Sequence, residues 1–415
     1  MKQAVSGSKR LRIAVDLTPM LPGAANGGVE PAFLEFIRAL QGLQDPGFDF
    51  FFITAGSTDP EIRAIATDRD ETIRLGSAKG RHILRPALFG AEQIDLLYAP
   101  FGMVRFPHIG VPIVSMVVDL LHRDYPHSLP AAERRFRESY FAHMVFCADR
   151  FQVISDFTGE RLAHHYKVPL NKIFRTYLPI QDRLKPQLEA IGTANRFFFY
   201  PANFWPHKNH EILLIAYQIY RYQAGSNPWD LVLAGSDDSR RLELQDLAQR
   251  LGIEPHVTFK AHVPEKEFAQ LFAAASGLIF PSLYEGFGIL PLEAMTLGVP
   301  VLTSDAGSLR EVVSQAALLF DPRKPVELAA AMLKLASSEE LRFDLRRRGF
   351  ERAKTFSFQT EVKRLADSFV RTASLAKRSS WDERLGRRFA LLRSDSLIYS
   401  RAAVGKVYRF LRDRV

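Results

Sequence analysis

The strongest constraint on what this chain can fold into is one stretch, residues 277–305, GLIFPSLYEGFGILPLEAMTLGVPVLTSD. It opens on a short apolar run, Leu278-Ile279-Phe280, which reads as a buried strand and breaks at Pro281 and Ser282. The loop that follows carries Glu285, Gly286 and Gly288. A helix is expected to begin there, with Leu290, Leu292, Met295 and Leu297 on its core face beside Ala294, and with Gly298 and Pro300 marking its end. A second strand over 299–303 follows at once. Strand, glycine loop, helix and strand in this order place a helix N-terminus at the carboxyl end of a parallel sheet, where open α/β folds bind ligands.

Two carboxylates lie on this unit, Glu285 in the loop and Glu293 in the helix, with seven residues between them. Eight positions are a little over two helical turns, so with Glu285 near the helix entrance both are expected to face one crevice. Gly286 and Gly288 let backbone N–H groups approach a ligand closely, and amides at a helix start attract phosphate. Such a site suits a phosphorylated sugar, with amides for the phosphate and carboxylates for the hydroxyls.

The string Glu285-Gly286-Phe287-Gly288-Ile289-Leu290-Pro291-Leu292-Glu293, preceded by Pro281-Ser282 and followed by Gly298-Val299-Pro300, resembles the donor-site signature of the retaining family 4 glycosyltransferases, also called glycosyl transferases group 1. The resemblance implies the GT-B fold, two Rossmann-like α/β domains facing each other across a cleft. It also implies that Glu285 lies beside the transferred sugar, that Glu293 holds the nucleotide ribose hydroxyls, and that Phe287 and Ile289 belong to the same donor-binding loop. The activity implied is transfer of a sugar from a nucleotide diphosphate-sugar to a saccharide or lipid-linked saccharide, with no metal and no cofactor besides the donor itself. GDP-mannose is the first donor expected, with UDP-sugars next, and the pathway class is polysaccharide or surface glycan synthesis.

Length fits that architecture. The chain of 415 residues has room for two domains of ordinary size, each with its own core. One cysteine, Cys147, excludes an internal disulfide and a cysteine-based zinc cluster, and its neighbours Phe146 and Ala148 mark it as a small buried apolar residue. No apolar signal core precedes the first strand, and no uninterrupted apolar run reaches the roughly 20 residues of a spanning helix, so a cytoplasmic protein is expected.

In the first half, a strand over 12–17 runs into a Pro/Gly-rich loop ending in Asn26-Gly27-Gly28, followed by a helix with Phe33, Phe36, Ile37 and Leu40 at core spacing. Gly27 and Gly28 serve equally as a turn device or, by the resemblance, as the loop that faces the donor diphosphate. Strands over 48–54, 95–99, 111–118 and 150–155 alternate with helices, notably 131–148 and 157–166, the pattern of a parallel sheet with crossover helices. The strand over 111–118 runs into Asp119, where many members of the resembled family carry His-Asp; here Val118 replaces the histidine. His122, three residues on, is expected either to reach the same space or to be an ordinary packing residue. Asp119 is expected to orient the acceptor or fix the loop.

A Pro-containing stretch over 178–193 reads as the linker between a first domain of 1–180 and a second of 194–357. The aromatic strand over 196–200 leads into a loop that delivers Lys208 to the start of a helix. A flexible ammonium beside helix-start amides suits a departing diphosphate. Asn203 stands where the resembled family commonly has an arginine, so Lys208 has less help. Trp205 is expected to pack on its loop rather than line a cleft. The strand over 230–236 ends near Gly235, a further donor-site candidate. Asp237 and Asp238 offer a pair for magnesium, but they precede Ser239-Arg240-Arg241 and read better as helix-capping acids. Gly307 and Ser308 match the family's phosphate amides, and equally a plain helix cap.

Helices over 325–374 close the second domain, and the last of them, about 358–374, is expected to return to the first domain. The net charge of +9 is concentrated at the end: residues 376–415 hold 11 Lys and Arg against 4 Asp and Glu, a net +7. That distribution argues against a nucleic-acid groove and for a basic helical tail, with Val404, Val407, Tyr408, Leu411 and Val415 at helical spacing. Such a helix either lies on an anionic membrane surface, as peripheral contact, or packs on the protein. Two other function classes share these features: a catalytically silent GT-B subunit, motivated by Val118 and Asn203, and a basic adaptor whose tail is the working part.

Overall fold

The computed structural model describes residues 10–20, 29–55, 57–75, 94–106, 111–180, 195–235, 239–261 and 263–375. Gly27, Gly28, Asp237, Asp238 and the tail over 376–415 lie outside the described residues. The chain divides into two compact units. Among the described residues, unit one takes those up to 120, 130–178 and 358–375, and unit two takes 121–129, 179–180 and 195–357. Segment 121–129, expected within the first half, thus belongs with the second.

Unit one is built from β1 (Leu11–Leu17), α1 (Val29–Gln41), β2 (Phe48–Ala55), the short α2 (Asp59–Arg63), β3 (Glu71–Leu75), β4 (Leu96–Ala99) and β5 (Ile113–Val117). After α3 (Leu121–Asp124), which belongs to unit two, come α4 (Ala131–Cys147), β6 (Arg150–Val153), α5 (Asp156–Tyr166) and β7 (Ile173–Arg175). The seven strands form one parallel sheet in the order β3-β2-β1-β4-β5-β6-β7. β1 registers Leu11 to Phe48 on one side and Ile13 to Leu96 on the other. With helices on its faces, the middle of the sheet is buried on both sides, and so β4 and β5 are buried throughout rather than alternating, with Ser115 the one polar exception to their apolar run.

Unit two repeats the plan with β8 (Phe197–Pro201), α6 (His210–Ala224), β9 (Asp230–Ala234), α7 (Ser239–Arg250), β10 (Val257–Lys260), α8 (Glu265–Ala274), β11 (Gly277–Phe280), α9 (Ile289–Thr296), β12 (Val301–Ser304), α10 (Leu309–Val313), β13 (Ala317–Phe320), α11 (Pro325–Ser337) and α12 (Glu339–Ala353). Its parallel sheet runs β10-β9-β8-β11-β12-β13. The strand order reverses at β8 and β11, which are hydrogen-bonded neighbours with Phe198 beside Gly277 and Phe199 beside Leu278. Connections leave these two strands in opposite directions, so a crevice opens beyond their carboxyl ends.

The last described helix, α13 (Phe358–Leu375), groups with unit one. Phe369, fully buried, meets Phe48 of β2 and Tyr98 of β4 edge-on, and Phe358 meets Phe36 of α1. Glu361 on the same helix accepts a hydrogen bond from the Tyr177 amide.

Three short strands were not legible as strands. β3 (Glu71–Leu75, ETIRL) and β7 (Ile173–Arg175, IFR) are short edge segments interrupted by charged residues, and β13 (Ala317–Phe320, ALLF), at the other sheet's edge, is apolar but only four residues long. An edge strand needs no fully apolar run, because only one side of it is paired. Cys147 is buried at the end of α4, as its neighbours imply, with its Sγ 3.6 Å from His143 Nε2.

Candidate active site

In unit two, the loops after β8 and β11 hold the candidate site together. The chain leaves β8 through Ala202–Trp205 and a 3₁₀ turn, Pro206–Lys208, before α6. Asn209 joins turn to helix in the left-handed region, at φ 63°. Its side-chain amide donates to the carbonyls of Pro281 (3.0 Å) and Pro322 (2.8 Å). The Leu283 amide donates to the His207 carbonyl at 2.8 Å. Beneath them Tyr200, fully buried, donates its hydroxyl to the Lys208 carbonyl at 2.9 Å and lies 3.2 Å from Ser282 Oγ. The lysine loop and the glutamate loop are therefore cross-tied before any charged group is considered.

Those ties bring Lys208 Nζ to 2.6 Å from Glu285 Oε1. Both side chains keep 14% of their surface open, enough for a ligand to reach them and little enough to weaken screening. The ammonium also stands 5.6 Å from the centre of the Phe280 ring. His210, two residues on at the start of α6, is pushed down to about 3 by burial first and by the Lys208 charge second, so it is neutral at physiological pH. The lysine and the carboxylate remain as the charged pair at the mouth of α6.

The glutamate loop is fixed from behind by the start of α10. Ser308 donates its amide to the Glu285 carbonyl at 3.2 Å, and its hydroxyl lies 3.0 Å from that oxygen and 2.6 Å from the Phe287 carbonyl. Gly307, at φ +58°, sits so close that a Cβ there would come within 2.7 Å of Glu285 O. Ser308 is thus neither an amide offered to phosphate nor a side-chain cap; its donors hold the loop. Gly288 at φ +109° turns the chain into α9.

The other sequence candidates fall in different places. Glu293 is fully buried in α9, whereas Glu285 opens to solvent, so the two do not open onto one surface as eight-residue spacing implied. A helix that begins only at Ile289 places Glu285 outside its periodicity, and Glu293 is buried along with Leu292 and Ala294. Phe287 is also buried, its ring 6.0 Å from that of Phe356. Ile289 is half-buried at the helix start and Asn203 is exposed. Gly235 permits close packing of the β8 loop, since a Cβ there would meet the Ala202 carbonyl at 2.6 Å. Trp205, expected to pack on its loop, is 52% exposed, with its ring 5.7 Å from His207.

His122 is carried on α3 in unit two and is 2% exposed, so it offers no open ring face from a loop; the flanking Leu120 and Leu121, both buried, draw the turn inward. Asp119, in unit one, is held by Arg137 of α4 at 3.1 Å, and Arg137 also grips Glu133. Among the described residues no group of three or more His, Cys, Asp or Glu side chains is placed to hold a metal ion. A cavity of about 370 Å³ opens beyond β12 and β13, lined by Asp305, Arg310, Asp321, Arg323 and Glu327 among others.

Sequence reasoning missed Tyr200, Asn209 and Ser308 as the residues that set the geometry. Asn209 stood in the lysine string, but nothing local shows that its amide would bridge two distant carbonyls.

Residues 182–352 match the family model of glycosyl transferases group 1. Over 306 residues the chain is 29% identical to O-antigen chain mannosyltransferase B of Escherichia coli, covering 72% of this chain and 80% of that protein. It is 31% identical over 163 residues to O-antigen chain mannosyltransferase RfbU of Salmonella typhimurium, covering 39% of this chain and 44% of that one. Its fold matches the crystal structure of Anabaena HepE in complex with UDP and glucose at a TM-score of 0.66 and 18% identity, over 87% of this chain and 100% of that one. The second half of the chain is therefore similar to the glycosyl transferases group 1 over residues 182–352, in a chain that has the GT-B fold.

Proposed function

We propose that the protein is a retaining, metal-independent hexosyltransferase that moves mannose from GDP-mannose, or a related sugar from its nucleotide diphosphate, to a saccharide or lipid-linked saccharide in surface glycan synthesis. The observation that carries this reading is the Lys208–Glu285 pair at the carboxyl ends of neighbouring strands, beside the start of α6. In transfer, the bond from the anomeric carbon to the diphosphate breaks and negative charge grows on the leaving oxygens. Lys208 and the first amides of α6 stabilise that charge, and a preorganised cation contributes most where water is scarce. Glu285 exchanges its contact with Lys208 for the sugar hydroxyls and steadies positive charge on the ring. The acceptor oxygen bonds to the anomeric carbon as the bond to the diphosphate breaks, and its proton passes to the departing diphosphate oxygen.

The mannosyl donor rests on the two O-antigen chain mannosyltransferases among the relatives, and the acceptor class on the same names. The Gly286–Gly288 loop contacts the donor, as the resemblance implies, and Glu293, enclosed in this structure, reaches the ribose hydroxyls once the donor is seated. Asp119, gripped by Arg137, fixes its loop rather than taking a proton. The basic segment over 376–415 brings the enzyme onto an anionic lipid surface on the cytoplasmic side; no described helix is long and apolar enough to cross a membrane.

The test is turnover of a panel of nucleotide sugars, in chelator, with melting shifts by GDP and UDP as the binding readout. Glu285→Ala and Lys208→Ala are each expected to lower kcat by about 10²-fold or more while the proteins still melt cooperatively. Parent-like rates in either variant, or donor binding with no turnover in the parent, would refute this reading.

A further inference from the structure

Unit two contains a short piece of the first half of the chain, residues 121–129, and that piece is attached close to the candidate active site. Tyr125 follows α3 and is held by its own backbone: its amide donates to the Leu121 carbonyl at 2.8 Å, and Ser128 Oγ donates to its carbonyl at 2.7 Å. Its ring meets that of Tyr284 with centres 5.9 Å apart, and Arg323 Nη2 donates to its hydroxyl at 2.7 Å.

Both contacts lead to the charged pair. Tyr284 is buried and immediately precedes Glu285. Arg323 follows Pro322, whose carbonyl accepts from Asn209, the residue after Lys208. The Arg323 backbone is itself fixed, its amide donating to Asp321 Oδ1 at 2.9 Å. One tyrosine therefore spans the chain step before the glutamate and the loop that is tied to the lysine.

We infer that Tyr125, clasped by Arg323 and tilted against the Tyr284 ring, is a positioning residue that sets the Glu285 loop against the Lys208 loop. The inference rests on the proposed function for its catalytic consequence, but not for its structural one. The Arg323–Tyr125 hydrogen bond is exposed and contributes little to global stability, so its effect belongs to the placement of the pair rather than to folding. A displacement of about 1 Å in a reacting group costs on the order of 10²-fold in rate, so a looser loop is read in kcat.

The experiment compares the full-length protein with Tyr125→Ala, Tyr125→Phe, Arg323→Gln and the double variant Tyr125→Phe/Arg323→Gln. Hydrogen exchange of a peptide covering 281–288 reports the loop without needing turnover. Donor kcat and KM, together with the Kd for GDP and UDP, report the catalytic consequence. Tyr125→Ala is expected to speed exchange in 281–288 and lower kcat about tenfold or more, with nucleotide Kd within about twofold of the parent. Tyr125→Phe and Arg323→Gln are expected to show the same smaller losses, and the double variant no further loss, because one bond is removed in all three. Parent-like exchange in Tyr125→Ala overturns the inference, as does additivity of the two single changes should the alanine variant fail to fold. Faster exchange in Tyr125→Ala, alongside a parent protein that turns over no sugar nucleotide, leaves the clasp standing and removes the proposed function instead.

Discussion

At the residue scale the site is a matter of where hydrogen-bond donors are committed. Ser308 commits both of its donors to the Glu285 loop, so Ser308→Ala leaves the buried Phe287 carbonyl without its hydroxyl and is expected to cost about 1–3 kcal/mol in denaturant unfolding. His210 is the residue whose protonation is most strongly opposed near the pair. Its folded value is pushed down to about 3, below the unfolded value near 6.5, so the unfolded chain takes up a proton first as pH falls. Stability from this group is complete above about pH 6.5 and is lost progressively below it, by about 2 kcal/mol at pH 5. Urea unfolding at pH 7 and pH 5 measures this: the parent should lose about 2 kcal/mol more than His210→Gln, and equal losses would show that the ring does not resist protonation.

At the element scale, α13 is the piece whose removal matters most to unit one. Phe369 has no exposed surface and meets Phe48 and Tyr98, residues of two different strands. Truncating it leaves a cavity among aromatic rings that cannot collapse, so Phe369→Ala is expected to cost about 3–5 kcal/mol and to lower the melting temperature of unit one. A loss below about 1 kcal/mol would mean that the helix only lies on the sheet. The elements most legible beforehand were those with apolar runs, β4 and β11 in full and β5 broken only by Ser115, because a strand buried on both faces has few polar positions to disguise it. The edge strands β3 and β7 escaped notice for the opposite reason, since pairing on one side tolerates residues such as Glu71 and Arg175, whereas β13, an apolar ALLF, is too short to be told from a buried helix segment.

At the scale of the whole molecule, charge and fold are separable. Residues 376–415 hold +7 of the net +9, and the rest of the chain is close to neutral. Deleting 376–415 is therefore expected to abolish cosedimentation with anionic phosphatidylglycerol vesicles at low salt while leaving nucleotide-induced melting shifts intact. Vesicle binding that survives the deletion would place membrane contact elsewhere. The two sheets repeat one plan, and in unit two its switch point gathers residues that are 77 positions apart in sequence, Lys208 and Glu285.

The order of most strands and helices, the glycine loops and the presence of a lysine and a glutamate in loops ahead of helices follow from local sequence, because hydrophobic period and backbone freedom are properties of neighbouring residues. The partners of those groups do not. That Glu285 opens to Lys208 while Glu293 is enclosed depends on where α9 begins relative to the loop, which Gly288 and the grip of Ser308 decide. That residues 121–129 join the second unit depends on the rings of Tyr125 and Tyr284 and on Arg323, contacts across more than 150 positions that only the folded chain brings within reach.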